Sequence, residues 1–385
     1  MKNFVFYNPT RIVFGENTIA KLADLVPPKA RVLVLYGGGS VEKNGTLAEV
    51  EAALGEREVH YFKGIEPNPE YETLMKAVEK VHNEKIDFLL AVGGGSVIDG
   101  TKFIAAAAMF EGDPWQIAEK HGRNIKTALP LASVLTLPAT GSEMNSGGVV
   151  SRRAISAKLS FTHPSLFPLF SILDPVKTYT LPARQIANGV VDTFVHITEQ
   201  YLTYPAAGMV QDSFSEGLLR TLIEAGPKAL EKSTDYDIRA NLMWTATLGL
   251  NGLIGVGVPQ DWATHMIGHE LTARFGLDHA VTLAIVLPTL LEVEKENKKE
   301  KLLQYANQVW HITQGSDDEK INQAIAKTRA FFEQMGIKTK LSEHGVKAQE
   351  IDSVIKQLEE HGMVKLGERG AITPDVVRKI LEKSL

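Results

Sequence analysis

Four potential metal ligands stand out in the second half of the chain: Asp192, His196, His265 and His279. Asp192 and His196 are four positions apart, so their side chains share one face of a helix. His265 and His269 have the same spacing. A carboxylate combined with several imidazoles is a ligand set that suits a divalent zinc or iron ion. The pattern therefore predicts a metal site on two helices.

The surroundings of Asp192 favour a catalytic ion over a structural one. A lone histidine on an apolar helix face is usually a hydrogen-bonded core residue. A carboxylate in the apolar run Val190–Val195 is costly, however, unless it is paired or bound to a cation. Structural zinc sites are usually rich in cysteine, and this chain has none. We therefore expect an ion that acts as a Lewis acid on a carbonyl or alkoxide oxygen.

The composition is typical of a soluble protein that acts on small molecules. The chain is 44% hydrophobic and 23% charged, and its 385 residues are enough for two domains. No apolar run reaches the ~18–20 residues needed to cross a bilayer. The N-terminus also lacks the apolar segment of a signal peptide. A net charge of −5 gives no reason to expect nucleic acid or an anionic membrane as a partner. We expect a cytoplasmic protein.

From Ala30 to about Leu173, short apolar runs alternate with helical stretches. This pattern predicts an α/β domain with a parallel sheet buried on both faces. Such a sheet binds ligands beyond the carboxyl ends of its strands. The strongest predicted strands are Val32–Tyr36, Phe88–Val92 and Ser133–Leu137.

From about Leu181 helical periodicity dominates, which predicts an all-helical second domain and a division into residues 1–180 and 181–385. Gly276 has the residue type found just past a helix end, and Thr373 followed by proline predicts the start of a final helix. The charged run Glu292–Lys301 is interpreted as a solvated helix face. The predicted helices are Arg184–Thr203, Asp212–Glu224, Arg239–Leu253 and Asp261–Phe275.

Two glycine turns, Gly37–Ser40 and Gly93–Ser96, each follow a predicted strand. Glycine allows close approach to an anion, and the free N–H groups at a helix start favour negative charge, so each turn could hold a pyrophosphate. Either turn alone could be a simple tight connection, and Asp99 a favourable first-turn carboxylate. Neither is the usual dinucleotide fingerprint. No acidic residue lies between Tyr36 and Val41 to hold the ribose of NAD, which favours NADP.

Taken together, these motifs resemble the iron-containing (group III) metal-dependent alcohol dehydrogenases, and most of all their NADPH-dependent aldehyde reductase, butanol dehydrogenase-like branch. The resemblance covers essentially the whole chain. It implies an N-terminal α/β dinucleotide-binding domain and an all-helical metal-binding domain, with the active site in the cleft between them, and a homodimer. The segments that carry it are Tyr36–Ser40, Gly93–Gly100, Leu137–Asn145, Asn188–His196 and Val258–Leu271 with His279.

The resemblance also assigns roles to individual residues. Asp192, His196, His265 and His279 would be the four ligands of one Zn²⁺ or Fe²⁺ ion. His269 would be a neighbouring histidine that does not bind the metal and that contacts substrate or relays a proton. The residues that would bind NADP(H) are Gly38, Gly39, Ser40, Asn68, Gly94, Gly95, Ser96, Asp99, Thr136, Asn145 and Lys158.

The predicted function is hydride transfer between NADP(H) and aldehydes or primary alcohols, with aldehyde reduction favoured and a broad substrate range. An NAD-linked polyol dehydrogenase and a dehydroquinate-synthase-like cyclase resemble the same two-domain plan and are the alternatives. A third hypothesis is a binding protein that has lost its chemistry, which the presence of all four ligand residues disfavours.

Overall fold

A six-stranded parallel sheet organises the unit formed by Tyr7–Leu181 and Ser233–Thr247. The computed structural model describes residues 1–385. The strand order is β1-β8-β5-β4-β2-β3, and every neighbouring pair is parallel. A separate antiparallel pair, β6 and β7, completes the set. The strands are β1 Arg11–Phe14, β2 Arg31–Tyr36, β3 Glu58–Lys63, β4 Phe88–Gly94, β5 Leu131–Leu137, β6 Gly147–Arg152, β7 Ala157–Thr162 and β8 Phe170–Leu173.

Apolar side chains cover both faces of this sheet. Leu33 and Leu89 belong to one buried cluster, and their chain neighbours Val34 and Leu90 belong to another. Successive side chains of a strand point to opposite faces, so a continuous apolar run supplies both clusters at once. The observed sheet confirms the predicted parallel arrangement.

The chain changes direction across the sheet at β2. It runs from β2 to β3 on one side and then crosses to β4 on the other side of β2. Open α/β sheets bind their ligands beyond the carboxyl ends of the two strands that flank such a reversal. Gly37–Ser40 follows β2, and Gly93–Ser96 lies at the end of β4. The fold therefore brings both glycine turns to the position where a nucleotide is expected.

Fifteen α-helices accompany the strands. Those after Pro182 are the framework of the second unit, which comprises Met1–Phe6, Pro182–Lys232 and Leu248–Leu385, except for the helix Tyr236–Gly249, most of which belongs to the sheet unit. The helices are α1 Leu22–Leu25, α2 Ser40–Lys43, α3 Thr46–Leu54, α4 Tyr71–Asn83, α5 Gly95–Ala107, α6 Trp115–Glu119, α7 Ala183–Tyr201, α8 Met209–Glu231, α9 Tyr236–Gly249, α10 Ala263–Phe275, α11 His279–Val293, α12 Lys299–Gln308, α13 Asp317–Gln334, α14 Ile351–Glu360 and α15 Pro374–Lys383.

Helix α7 is buried from Val190 to Tyr201 and forms the core of the helical unit. Phe194 is fully buried, with its ring centroid 5.4 Å from that of Phe331 and 5.3 Å from that of Phe332. A helix that is buried on nearly every side must be surrounded by other elements. Polar side chains on this helix are therefore held within the protein interior.

None of the helices combines the length and the apolar composition that a membrane-spanning segment requires.

The structure corrects the interpretation of the charged run Glu292–Lys301. The run is the end of α11, a turn and the start of α12, and two of its lysines are buried. Lys301 pairs with Asp212 at 2.7 Å, and Lys298 is only 2% exposed. Charge density alone gave no sign of these partners, which come from distant parts of the chain.

Replacement of Phe194 by alanine should destabilise the helical unit by about 3–5 kcal/mol, because it removes a fully buried ring and leaves a cavity between two aromatic partners. Urea denaturation followed by tryptophan fluorescence measures this change. Leu169→Ala, at a side chain that is 54% exposed, is the control and should change stability by less than about 0.5 kcal/mol. Equal losses for the two variants would contradict the packing described for α7.

Candidate metal centre and nucleotide turns

Three imidazoles surround one oxygen atom of Asp192. The Nε2 atoms of His196, His265 and His279 each lie 3.6 Å from Asp192 Oδ1. The ligand atoms of Asp192, His265 and His279 are all within 4.8 Å of one another. The structure therefore gathers the four residues predicted as ligands, although they come from three different helices.

The distances from Asp192 Oδ1 fit a divalent ion shared by this carboxylate and its imidazole neighbours, and the group whose ligand atoms all lie close to one another consists of Asp192, His265 and His279. In a tetrahedral site with metal–ligand bonds of ~2.0–2.1 Å, the ligand atoms are roughly 3.3–3.4 Å apart. The observed spacing of 3.6 Å is close to that value and too long for hydrogen bonds. His265 Nε2 is buried and has no hydrogen-bond partner, as a lone pair reserved for a cation would require.

Glu199 fixes the orientation of the His265 ring. Its carboxylate accepts a hydrogen bond from His265 Nδ1 and another from the His265 backbone N–H, at 3.2 Å. With a proton on Nδ1, the imidazole can offer the lone pair of Nε2 to a cation beside Asp192. Metal-binding histidines commonly have such a carboxylate partner.

Glu199 was not among the site residues predicted from the sequence. It is 2% exposed and follows Asp192 by seven positions, so it lies on the same helix face. That spacing was the one sequence signal that could have pointed to it.

The electrostatics of this cluster favour positive charge. Burial acts to lower the pKa of His265, but the carboxylates of Glu199 and Asp192 outweigh it and raise the pKa to about 9. Burial also raises the pKa of Glu199, against the attraction of His265. A divalent cation would satisfy the same need for positive charge.

Close contact between α10 and α11 places His279 beside His265. An added Cβ atom at Gly268 would lie 2.8 Å from Thr282 Oγ1, so the absence of a side chain allows the two helices to approach. The His265 and His279 ring centroids are 5.1 Å apart.

A clamp on Asp278 joins the start of α11 to α7. Arg184 donates two hydrogen bonds to the Asp278 carboxylate, at 2.8 and 2.6 Å, and Asn188 donates a third at 3.0 Å. Both donors lie on α7, one and two turns before Asp192. Because His279 directly follows Asp278 in the chain, the clamp fixes the position of His279 relative to Asp192.

A buried ion-pair network holds the start of α10. Lys298 lies 2.7 Å from Asp261 and 2.8 Å from Glu368 and donates to the Leu202 carbonyl oxygen at 2.7 Å. Asp261 accepts a hydrogen bond from the backbone N–H of Ala263, and its own N–H donates to the Glu199 carbonyl oxygen. The network thus ties the segment before His265 to the end of α7.

Two further aromatic side chains border the cluster. His269 is 4% exposed, and its ring centroid is 5.3 Å from that of His279. Trp262 adopts a left-handed backbone conformation, with φ 65°, and its ring centroid is 5.3 Å from that of His265. Its indole N–H donates to Gln260 at 2.7 Å, which fixes the plane of the ring.

The two glycine turns differ in the space around them. Gly38 is exposed and has open space where a side chain would be. A Cβ atom at Gly94 would lie 2.9 Å from the Leu137 side chain, and one at Gly95 would lie 2.4 Å from Thr140 Oγ1. The close packing of Gly94 and Gly95 against the Leu137–Thr140 segment therefore explains why these two positions are glycine, whatever binds beside them.

Three of the residues predicted to bind cofactor are joined by hydrogen bonds. Lys158 Nζ donates to Asn68 Oδ1 at 2.8 Å, and the Asn68 backbone N–H donates to Ser96 Oγ at 3.3 Å. Asn68 has φ 56°, a left-handed conformation that asparagine tolerates. Lys158, on β7, is thereby brought to the second glycine turn, while Ser40 lies exposed at the first.

Asp99 and Asn145 are engaged by this chain's own donors. Asp99 accepts from Ser142 Oγ at 2.6 Å and from the Val149 N–H at 3.0 Å. Asn145 Oδ1 accepts from the buried Lys102 at 2.9 Å. Burial raises the pKa of Asp99, and burial lowers the pKa of Lys102 to about 8. This polar network holds the loop between β5 and β6.

Thr136, the remaining residue predicted to bind cofactor, lies within β5 and is 7% exposed.

The fold and the site together define a class of protein: a parallel α/β unit with nucleotide-type turns, in one chain with a helical unit that carries a metal-binding cluster. Two family models match the chain. Residues 9–175 match the model described as "Iron-containing alcohol dehydrogenase", and residues 186–385 match "Fe-containing alcohol dehydrogenase family, C-terminal". The chain belongs to the iron-containing alcohol dehydrogenase family, as its sequence motifs predict.

Individual relatives agree with this assignment over their full lengths. The chain is 59% identical to the NADPH-dependent aldehyde reductase YqhD of Escherichia coli over 99% of both proteins. It is 38% identical to a probable NADH-dependent butanol dehydrogenase of Bacillus subtilis over 100% of both. The crystal structure of E. coli YqhD matches with a TM-score of 0.99, at 58% identity and over 100% of this chain and 99% of that one. An NADH-dependent butanol dehydrogenase from Thermotoga maritima matches with a TM-score of 0.95, at 34% identity over 100% and 99%.

Replacement of Glu199 by glutamine should weaken metal affinity about 10- to 100-fold, because His265 loses the carboxylate that orients its ring. Competition with a fluorescent chelator measures the affinity. Glu216→Gln is the control, since Glu216 is also buried on the helical unit but bonds to Tyr201 and Gln304. Unchanged metal affinity in Glu199→Gln would show that this carboxylate does not support the site.

Proposed function

We propose that this chain catalyses hydride transfer between NADP(H) and aldehydes or primary alcohols, with aldehyde reduction favoured and a broad substrate range. The observation that carries the proposal is the arrangement of three imidazole nitrogens around the buried carboxylate oxygen of Asp192. Family membership and the 59% identity to an NADPH-dependent aldehyde reductase support the same activity.

Asp192, His196, His265 and His279 would hold one divalent ion. When bound, that ion supplies Lewis acidity towards a carbonyl oxygen. Three nitrogen ligands and one carboxylate suit Zn²⁺ and Fe²⁺ alike. All four donors are nitrogen or oxygen atoms, and none is a thiolate. This ligand set is typical of a catalytic site, which keeps a position open for substrate, and not of a closed structural site.

The chain's own residues would orient the reaction and handle the proton. Glu199 keeps His265 in one tautomer, and the Trp262 ring excludes water from the side of the cluster that it covers. His269 lies next to His279 and is held in place by burial. An imidazole can hold and pass a proton near neutral pH, so we assign to the ring nitrogens of His269 the relay that protonates the product oxygen.

The glycine turns and their neighbours would hold the dinucleotide. The first turn follows β2 and contains Gly38, Gly39 and Ser40. The second turn lies at the end of the neighbouring strand β4 and contains Gly94, Gly95 and Ser96. Lys158 and Asn68 supply a cation and an amide at the second turn. We also assign to cofactor binding Asp99 on α5, Thr136 on β5 and Asn145 in the loop between β5 and β6. In this proposal the α/β domain, residues 1–180, would bind the dinucleotide, and the helical domain, residues 181–385, would bind the metal.

We further propose that the protein is a cytoplasmic homodimer whose partner is a small-molecule aldehyde or alcohol and that it binds neither nucleic acid nor membrane. The net charge of −5 supports the absence of an electrostatic nucleic-acid surface.

The activity is tested by following NADPH and NADH oxidation with a series of aldehydes, including butyraldehyde, on protein of measured metal content. We expect net NADPH consumption that scales with bound metal and a smaller kcat/KM with NADH. No turnover in a metal-replete preparation across several aldehydes and both cofactors would contradict the proposed function. Product formation without net NADPH consumption would favour a cyclase.

His265→Ala and His269→Asn should separate metal binding from proton transfer. The first should lose the metal and the activity together, because it removes a ligand. The second should keep the metal but lower kcat about 10²- to 10⁴-fold, the range for loss of a proton-transfer group. Metal analysis and steady-state kinetics on the same preparations measure both effects.

His311→Asn is the control for these substitutions, since His311 is exposed and has φ 56°, which asparagine tolerates. Full metal content in His265→Ala would remove His265 from the ligand set, and full activity in His269→Asn would remove His269 from the reaction.

A further inference from the structure

An ion pair lies directly beside the first glycine turn. Lys63 Nζ is 2.6 Å from Glu42 Oε2. A Cβ atom built on Gly39 would lie 3.0 Å from that Lys63 nitrogen and 2.6 Å from that Glu42 oxygen. Gly39 also has φ 101°, a conformation that side chains rarely adopt. Of the three glycines in the turn, Gly39 is the one that lies next to this pair.

The pair is anchored to the sheet and is not a loose surface contact. Tyr36, at the end of β2, donates its hydroxyl hydrogen to Glu42 Oε1 at 2.8 Å. Burial, and then the nearby Glu42, raise the pKa of Tyr36 to about 12, so the phenol remains a donor. Lys63 ends β3 directly opposite Tyr36, and the next residue, Gly64, donates to the Tyr36 carbonyl oxygen at 3.0 Å.

The position of Glu42 bears on the choice of cofactor. A carboxylate at this place in a dinucleotide domain holds the ribose 2′-hydroxyl of NAD and repels the 2′-phosphate of NADP. The sequence has no acid between Tyr36 and Val41, yet folding brings the carboxylate of Glu42 to Gly39. The absence of an acid within the turn is thus insufficient to explain a preference for NADP.

Lys63 supplies a positive charge beside this carboxylate. Its ammonium neutralises Glu42, and the side chain remains half exposed, so hydrogen-bond donors are available to a second anion. Phosphate is a ligand that lysine binds as a point charge.

We propose that Lys63 is the residue that selects NADP(H), by binding the 2′-phosphate of the adenosine ribose beside Gly39, and that Glu42 limits the strength of that contact. The inference rests on the proposed function, because it places the adenosine end of the cofactor at the Gly37–Ser40 turn.

Binding of 2′,5′-ADP and 5′-AMP to the metal-loaded protein, measured by calorimetry, isolates this contact, since the two nucleotides differ by the 2′-phosphate alone. Wild-type protein should bind 2′,5′-ADP more tightly. Lys63→Met should weaken 2′,5′-ADP about tenfold or more and leave 5′-AMP within about twofold, because one charge-assisted contact is lost. Lys63→Arg should retain most of the preference.

Glu42→Gln should have the opposite effect and strengthen 2′,5′-ADP several-fold, because Lys63 is released from its partner and a repulsive charge is removed. Lys126→Met is the matched control, since Lys126 belongs to another exposed Lys–Glu pair, with Glu111, in the segment before the start of β5. It should change neither affinity. Thermal melting of each variant shows that the fold is kept.

The outcomes separate this inference from the proposed function. If Lys63→Met leaves the ratio of the two affinities unchanged, or weakens both nucleotides equally, Lys63 does not read the 2′-phosphate. If the wild-type protein binds both nucleotides equally, the selection proposed here is wrong while a dinucleotide site remains. If the wild-type protein binds neither, the placement of the cofactor fails as well.

Discussion

The helical unit depends on a carboxylate that folding removes from water. Asp192 is 4% exposed and lies within the buried part of α7. An ionised carboxylate in such a place is strongly unfavourable unless positive charge compensates it. Three imidazole nitrogens converge on one of its oxygens, at a spacing that leaves room for a cation. A cation bound at Asp192 would therefore both stabilise the fold of this unit and supply its metal chemistry.

The surrounding structure keeps these donors in position. The Asp278 clamp ties α11 to α7, the Lys298 network ties the start of α10 to the end of α7, and Gly268 allows α10 and α11 to touch. Each contact restrains a segment next to a proposed ligand. Such supporting contacts reduce the freedom of ligand side chains, which is what keeps a metal site in its binding geometry.

Local pattern was enough to predict much of the fold. Continuous apolar runs identified β2, β4 and β5, and helical periodicity identified α7 and α10 to within a few residues. Gly276 lies just past the end of α10, as predicted, and its φ of 68° is the left-handed conformation common at that position. The short edge strands β1 and β3 and the antiparallel β6–β7 pair were not predicted, because their half-exposed residues carry a weak apolar signal.

Residue type and helical spacing were enough to predict part of the candidate site. They selected the four proposed ligand positions and placed His269 one turn from His265. What required the structure were contacts between residues far apart in sequence, such as Lys298 with Glu368 and Gly39 with Lys63. A buried lysine and a solvated one look alike in a charged run, because the difference depends on partners that only the fold supplies.

The central claim is that one divalent ion is bound by three imidazoles and one carboxylate at Asp192. X-ray absorption spectroscopy of the metal-loaded protein tests it directly. We predict a first shell of nitrogen and oxygen at ~2.0–2.2 Å, with the outer-shell scattering of three imidazole rings. A shell of oxygen atoms alone, or the signature of a single imidazole, would contradict it.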